Sequence, residues 1–225
     1  MDREPLVIFD CDGVLVDSEP IAIDVLCETL REAGLPIDAE FAYARCLGRS
    51  MASTVDILAS EFGFHVDSEH LRKIRSRLYE RFRAELKPVP GIVEALAVLP
   101  GRRCVASSSQ PERIRLSLAV TGLLESFEPH IYSATEVKTG KPAPDLFLHA
   151  ARAMGCSPDR CIVVEDSPAG IEAARRAGMA VFGFVGGSHV LPGDLVARVS
   201  AMKPDLVFDD MHQLPGLIRG RMPGG

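Results

Sequence analysis

The chain has 225 residues, 47% hydrophobic and 25% charged, which is the composition of a globular protein rather than of a disordered or fibrous one. This length predicts a core domain that carries a smaller insert. The net charge of −6 argues against nucleic acid as a partner, and no apolar run is long enough to predict a membrane span or a signal peptide. We therefore expect a cytoplasmic protein, with a monomer as the default state.

The cysteines and histidines do not form a metal-binding pattern. Six scattered cysteines include no C-x-x-C pair, so zinc spacing is absent and free thiols in a reducing compartment are expected. The six histidines are equally dispersed, and His189 is among four that are expected to be ordinary structural residues.

The first predicted strand is the apolar run from Leu6 to Asp10, which ends in a carboxylate. Ser18 is a candidate cap for a helix from Glu19 to Ala33. From there to about Pro88, apolar residues recur every three or four positions, which predicts helices, and no segment alternates as a strand would.

After Pro88, predicted strands alternate with predicted helices. The strands are Arg103 to Ser107, His130 to Ser133, Cys161 to Glu165, Ala180 to Val185 and Leu206 to Phe208. Three helices are predicted between these strands. The first begins at Glu112, the second covers Pro144 to Met154 and the third covers Ala169 to Ala177. This alternation predicts a parallel sheet with helices on both faces.

The predicted fold is therefore α/β. A Rossmann-like core is expected from residues 1–16 and 89–225, with an all-helical cap inserted at residues 17–88. An insert after the first strand lies over the carboxyl edge of the sheet, where open α/β sheets bind ligands. A cap at this edge can exclude water from a site.

Asp10 and Asp12 carry the strongest chemical signal. They lie two residues apart at the end of a strand, so the strand period places both on one side. Two anions this close need a cation or a proton between them, and oxygen ligands favour a hard ion such as magnesium. Taken alone, the pair also fits a loop of solvated acids that caps the next helix.

Other predicted strands also end in polar residues. Ser107 and Ser108 lead from the second strand into a helix, as in a phosphate site, although serine clusters often only cap helices. Lys141 lies between a glycine and a proline, so a rigid loop could direct its ammonium to a fixed point. Glu165 and Asp166 are adjacent carboxylates at the end of the fourth strand.

These four segments, in this order, resemble the four motifs of the haloacid dehalogenase superfamily. The sequence reads D-x-D-G-V-L-V-D-S-E-P near its start, and later G-K-P-x-P-D-x-F and E-D-S-x-x-G-I-x-A-A-x-x-A-G-M. The resemblance covers almost the whole chain and is greatest to the branch of β-phosphoglucomutase and small sugar-phosphate phosphatases. It implies hydrolysis of a small phosphorylated metabolite, such as a sugar, sugar-acid or polyol phosphate, with Mg2+ as cofactor.

The resemblance also implies catalytic and phosphate-binding roles. Asp10 corresponds to the nucleophile that forms an aspartyl-phosphate, and Asp12 to the general acid that later acts as base. Ser107 and Lys141 correspond to the residues that hold the phosphoryl oxygens, with Ser108 beside them. An ammonium near a transferring phosphoryl group offsets its developing charge.

The implied metal ligands are Asp166, Asp10 and the backbone carbonyl of Asp12. Glu165 is expected to support the metal directly or through water. A dehalogenase is disfavoured because halide leaves without a proton, whereas this chain retains the second aspartate.

Two further alternatives remain. Where β-phosphoglucomutase has a histidine and a cap arginine, this chain has Ala22 and Met51, which favours hydrolysis over a phosphomutase reaction, although Arg45 and Arg49 lie nearby. A noncatalytic binding protein with the same fold is the other alternative, but such a protein would be expected to have lost part of the polar set.

The cap contains a candidate specificity loop around Gly48. Arg45 or Arg49 could pair with a second anionic group of a substrate. A helix connection with solvated arginines fits the same residues equally well. The basic run between Arg72 and Arg83 alternates with apolar and acidic residues, which is more typical of an amphipathic helix than of a nucleic-acid surface.

Overall fold

The computed structural model describes residues 4–47, 50–190 and 195–221. In this part of the chain, the strands are β1 (Leu6–Phe9), β2 (Arg102–Ser107), β3 (Ile131–Ser133), β4 (Cys161–Glu165), β5 (Ala180–Phe184) and β6 (Leu206–Phe208). They form a parallel sheet in the order β3-β2-β1-β4-β5-β6.

Helices lie between these strands in the sequence and follow the last of them. They are α1 (Glu19–Glu32), α2 (Ala39–Arg45), α3 (Met51–Phe62), α4 (Ser68–Glu85), α5 (Ile92–Val98), α6 (Pro111–Val120), α7 (Asp145–Ala153), α8 (Pro168–Arg176), α9 (Leu195–Ala201) and α10 (Leu214–Gly220).

Both faces of the sheet are covered. In β1, Val7 and Phe9 point into the apolar cluster that contains residues of α5, α6 and α10. Leu6 and Ile8 point into a second cluster with residues of α7, α8 and α9. Burial on both faces explains why the strands are nearly continuous apolar runs, and the predicted α/β class is confirmed.

The strand order has a switch point at the centre of the sheet. The chain goes from β1 outward to β2 and β3, then returns to place β4 on the other side of β1. The carboxyl ends of β1 and β4 therefore diverge at a crevice, which is the usual ligand position in open α/β sheets.

Helices α1 to α4 lie between β1 and α5 in the sequence. The chain enters and leaves this helical segment at one place, because the N–H of Asp17 donates to the carbonyl of Lys87 at 3.0 Å. In α4, Ile74, Leu78 and Phe82 recur every four residues and are buried, so the helix is amphipathic, as predicted.

The basic face of α4 has acidic partners on α1. The side chains of Lys73 and Arg77 both contact the carboxylate of Glu32, at 2.6 and 2.8 Å. Arg81 makes longer ion-pair contacts with Asp24, at 3.8 Å, and with Glu28, at 3.6 Å. These contacts account for much of the basic run as an interhelical charge network within the helical segment.

Ser18 precedes α1, but it does not cap this helix with its side chain. Its backbone is already helical, with φ −89° and ψ −20°, whereas a capping serine normally has an extended backbone. The Ser18 hydroxyl donates to Asp12 instead, at 2.6 Å. The predicted capping role was therefore wrong.

The six cysteines all lie in the described ranges, and no disulfide joins any two of them. Within the described ranges, no helix has both the length and the apolar character needed to cross a membrane.

We expect the substitution Phe127→Ala to lower the free energy of unfolding by about 3–5 kcal/mol, because it leaves a cavity in the core. Phe127 is 1% exposed, and its ring packs edge-on against Phe9 with 5.7 Å between centroids. Urea denaturation would measure the change. The matched control is Val98→Ala, which removes an apolar side chain that is 61% exposed and should change stability by less than about 0.5 kcal/mol. Equal effects of the two substitutions would contradict the assigned packing.

Candidate active site

Polar residues at the ends of β1 and β4 meet at the carboxyl edge of the sheet. Phe9 pairs in register with Val164, so Asp10 follows β1 beside the end of β4. The N–H of Asp10 donates to the carbonyl of Val164 at 3.0 Å, which continues the sheet pairing by one residue. Parallel register therefore brings the carboxylates of two distant sequence segments together.

Lys141 contacts the carboxylates of both strands. Its Nζ lies 2.6 Å from Oδ1 of Asp10 and 2.7 Å from Oε1 of Glu165. The Lys141 side chain is 5% exposed and lies over the ring of Phe147, with Nζ 4.9 Å from the ring centroid. Burial alone would lower the pKa of Lys141, but the two carboxylates outweigh burial, so the pKa lies above its ordinary value and the group is a fixed cation.

Asp10, Glu165 and Asp166 form a buried acidic cluster. Each offers an oxygen within 4.8 Å of the oxygens of the others. Burial raises the pKa of Asp10 well above its usual value, and the charges of Glu165 and Asp166 add to this effect, while Lys141 opposes it. Burial also raises the pKa of Asp166. One ammonium does not balance three carboxylates, so the cluster favours binding of a further cation.

The donors in this cluster suit a hard divalent cation. Carboxylate oxygens are the ligands that magnesium prefers. Glu165 has both oxygens engaged with protein donors, because Oε2 accepts from the N–H and the hydroxyl of Ser167, both at 2.8 Å. Asp10 and Asp166 are therefore better placed than Glu165 to bind a metal directly.

Asp12 accepts hydrogen bonds from three side chains. Its Oδ1 accepts from Ser18 at 2.6 Å and from Arg113 at 2.8 Å, and its Oδ2 accepts from Ser109 at 2.7 Å. Burial alone would raise the pKa of Asp12, but the charge of Arg113 and these hydrogen bonds outweigh it and hold the pKa below its usual value. This arrangement stabilises the ionised carboxylate.

The two predicted phosphate-site serines differ in their surroundings. Ser107 is 1% exposed at the end of β2, and its hydroxyl accepts from the N–H of Ser109 at 3.1 Å. Ser108 is exposed. The third serine of the run, Ser109, is the one that contacts Asp12.

The structure says less about the predicted specificity loop. Arg45 is the last residue of α2, and its guanidinium contacts the carboxylate of Glu61 on α3. Gly48 and Arg49 lie outside the described residues. The specificity hypothesis for this loop stays a prediction.

Sequence patterns did not indicate the role of Arg113. Its side chain is 22% exposed, lies over the ring of Phe82 at 5.4 Å, and pairs with Asp12. A basic residue in the first turn of a helix is ordinarily solvated, so no local pattern distinguishes it. No local pattern indicated the contact of His189 either: this residue, predicted to be structural rather than a ligand, lies 3.0 Å from Asp166.

A cleft of about 170 Å3 lies next to these carboxylates. Glu19 and Leu47 line it from the helical segment. The core contributes the rest of its lining: Asp166, Ser167, Pro168, Ala169, His189, Leu195 and Arg198. The cleft therefore lies between the helical segment and the sheet edge.

Comparison with known proteins identifies the family. A family model for haloacid dehalogenase-like hydrolases matches residues 5–178, which include Asp10, Ser107, Lys141 and Asp166. The chain belongs to the haloacid dehalogenase-like hydrolase family. The predicted family and the predicted hydrolase class are confirmed.

Relatives of this haloacid dehalogenase-like hydrolase match it over nearly its full length. The chain is 31% identical to 6-phosphogluconate phosphatase from Escherichia coli, over 98% of this chain and 97% of that protein. It is 40% identical to a haloacid dehalogenase-like protein of unknown function from Agrobacterium tumefaciens, with a TM-score of 0.83 over 96% of this chain and 98% of the other. It is 30% identical to a family hydrolase from Deinococcus radiodurans solved with bound phosphate and sodium, with a TM-score of 0.78 over 98% and 97% of the two chains.

We expect Gly170→Ala to destabilise the protein, although alanine is normally the better helix former by about 1 kcal/mol. Gly170 lies in α8, and a Cβ there would overlap the carboxylate of Glu165. The expected loss is about 1–3 kcal/mol, measured by urea denaturation. Gly216→Ala in α10 is the matched control, because a Cβ there meets no atom within 4 Å and should leave stability unchanged or raise it. A stabilising Gly170→Ala would contradict the packing of Glu165.

Glu19 should make stability depend on pH. Burial, followed by the charges of Asp12 and Asp166, raises its pKa to about 7. Because this folded-state pKa exceeds the unfolded value of 4.5, the folded protein binds more protons, and the free energy of unfolding should fall as pH rises from about 4.5 to about 7. We expect Glu19→Gln to remove about 1–3 kcal/mol of this fall, allowing for partial solvent screening.

The measurement is urea denaturation in EDTA at several pH values, so that no metal offsets the carboxylates. Glu40→Gln, at an exposed position, is the control. Identical pH slopes for wild type and Glu19→Gln would contradict the assigned surroundings of Glu19.

Proposed function

We propose that the chain is a magnesium-dependent phosphatase that hydrolyses small phosphomonoesters through an aspartyl-phosphate on Asp10. Sugar, sugar-acid or polyol phosphates are the proposed substrates. The name of the Escherichia coli relative, 6-phosphogluconate phosphatase, supports this class.

The observation that carries the proposal is the contact of Asp10 with Lys141 inside a cluster able to bind a metal. A carboxylate that attacks a phosphate must overcome charge repulsion, and a fixed ammonium 2.6 Å away offsets it. Lys141 and the nearby Ser107 are the proposed contacts for the phosphoryl oxygens, with Ser108 as a further candidate. The Deinococcus relative, which binds phosphate, is consistent with this use of the fold.

In the first step, an oxygen of Asp10 attacks phosphorus, and the bond from phosphorus to the leaving oxygen breaks. Asp12 gives its proton to that oxygen, so an alcohol leaves rather than an alkoxide. A positioned acid of this kind contributes about 10²–10⁴ in rate.

In the second step, water attacks the phosphorus of the aspartyl-phosphate and loses a proton to Asp12. The bond between phosphorus and Asp10 breaks, inorganic phosphate leaves, and both aspartates return to their starting forms. The hydrogen bonds from Ser18, Ser109 and Arg113 favour the ionised base that this step needs. Asp12 must be protonated to act as the acid in the first step. At least one of these three hydrogen bonds, which favour its ionised form, therefore has to change before that step.

Asp10, Asp166 and the backbone carbonyl of Asp12 are the proposed magnesium ligands, with Glu165 acting through water or charge. Magnesium, when bound, would supply positive charge at the phosphoryl group and offset the surplus of buried carboxylates.

We propose that residues 17–88 form the cap and that residues 1–16 and 89–225 form the catalytic core. The cleft between Glu19, Leu47 and the sheet edge supports this division, because a leaving group could lie there. Ala22 and Met51 in place of the mutase histidine and arginine favour transfer of the phosphoryl group to water over its return to a sugar.

We expect phosphate release from a panel of phosphorylated sugars, sugar acids and polyols in the presence of Mg2+, and its loss in EDTA. Asp10→Asn should lower turnover by at least about 10³-fold, because the amide is a poor nucleophile. The control is Asp159→Asn, an equal change at an exposed position just before the amino end of β4.

Wild-type turnover in the Asp10→Asn variant, or turnover that persists in EDTA, would contradict the mechanism. Turnover that requires glucose 1,6-bisphosphate and leaves a phosphorylated product would favour the phosphomutase alternative. No turnover on any substrate by a folded, magnesium-bound protein would favour the noncatalytic alternative.

A further inference from the structure

His189 is a buried histidine beside the acidic cluster. It belongs to a short helical turn, Ser188–Val190, that follows β5 through Gly186 and Gly187. The residue is 1% exposed, which is unusual for histidine in the absence of a specific partner. Its Nε2 lies 3.0 Å from Oδ2 of Asp166.

The histidine ring is held in a narrow slot between two glycines. A Cβ on Gly187 would lie 2.6 Å from Nδ1 of His189, and one on Gly13 would lie 2.9 Å from its Cε1. A Cβ on Gly13 would also overlap Oδ2 of Asp166. Any larger residue at either glycine would displace the ring or the carboxylate, so the slot fixes both.

Oδ2 of Asp166 is therefore enclosed by His189 on one side and by Gly13 on the other. Asp166 nevertheless offers an oxygen that lies within 4.8 Å of oxygens of Asp10 and Glu165. Neither nitrogen of the His189 ring has an aligned hydrogen-bond partner among the described residues, so the contact with Asp166 is its main polar interaction.

We infer that His189 is a positioning residue that orients the Asp166 carboxylate for metal binding without ligating the metal itself. This inference rests on the metal site of the proposed function. A polar partner held against a ligating carboxylate restricts its rotation, and losing an outer partner of a metal ligand commonly costs about 10–100-fold in metal affinity.

Ser188, the adjacent residue in the turn, provides a matched control. Its hydroxyl donates to Oδ1 of Asp17 at 2.8 Å, at the entry to the helical segment, and this contact does not involve Asp166. Ser188→Ala changes the same turn while leaving the contact between His189 and Asp166 in place.

The test is calorimetric titration of the full-length protein with Mg2+ at one slightly alkaline pH. We expect His189→Met, which fills the slot without a donor, to raise the Kd for Mg2+ about 10–100-fold. His189→Gln, whose amide can reach Asp166, should bind Mg2+ more tightly than the methionine variant. Ser188→Ala should keep a Kd close to that of the wild type.

Thermal unfolding in EDTA establishes that each variant is folded. If the methionine variant does not fold, His189→Asn takes its place, because it keeps an amide that is too short to reach Asp166. A Kd equal to the wild type in His189→Met, or in His189→Asn where it takes its place, would overturn the inference. The inference would also be overturned if His189→Gln bound Mg2+ no more tightly than these variants, or if Ser188→Ala were equally impaired.

These outcomes are separable from failure of the proposed function. A wild-type protein that binds Mg2+ but releases no phosphate contradicts the phosphatase proposal, while the variant Kd values still decide the role of His189. A wild-type protein that binds no Mg2+ overturns both the metal site and this inference.

Discussion

The buried contact of Lys141 with Asp10 and Glu165 is the interaction on which the rest of the site depends. Parallel pairing of β1 with β4 forces these two carboxylates together at the sheet edge. Uncompensated buried charge costs several kcal/mol per ion, so the ammonium is needed for the strand ends to stay ionised and packed. The loop that supplies Lys141 lies just before α7, whose Phe147 provides the ring beneath the ammonium.

Space around the carboxylates is as important as charge. Gly170 gives Glu165 room against the first turns of α8, and Gly13 gives Asp166 room beside β1. Gly13 has φ +80°, a conformation that side chains rarely adopt, so this glycine serves both the turn after Asp12 and the close approach of Asp166. The backbone thus comes near the acids where a side chain could not fit.

Asp12 links the sheet edge to the helical segment. Its donors come from the entry to α1, from the loop after β2 and from α6, whose Arg113 lies against Phe82 of α4. A movement of the helical segment relative to the sheet would therefore change the hydrogen bonds of Asp12. Apolar residues of α1, α4 and α6 pack in one cluster. The position of the helical segment and the hydrogen bonds of Asp12 are therefore linked through this packing.

Local patterns were sufficient to predict the strands, the parallel class and the polar strand ends. The predicted strand limits differ from the observed ones by at most one residue, because burial on both faces produces continuous apolar runs that turn residues interrupt. The prediction that Asp10, Lys141, Glu165 and Asp166 would meet followed from sheet topology and from the resemblance to a family whose membership is now established.

The side chains that face these acids could not be predicted in the same way. Arg113 is 101 residues from Asp12 in the sequence, and nothing in its own neighbourhood marks it as a partner. Ser18 was expected to cap α1 with its side chain. Because its backbone is helical, its hydroxyl donates to Asp12 instead. His189 lies beside Asp166 only because β5 returns next to β4. The periodicities and the order of the acidic strand ends can be derived from the amino-acid sequence alone. Contacts between distant segments depend on packing, which no local pattern records.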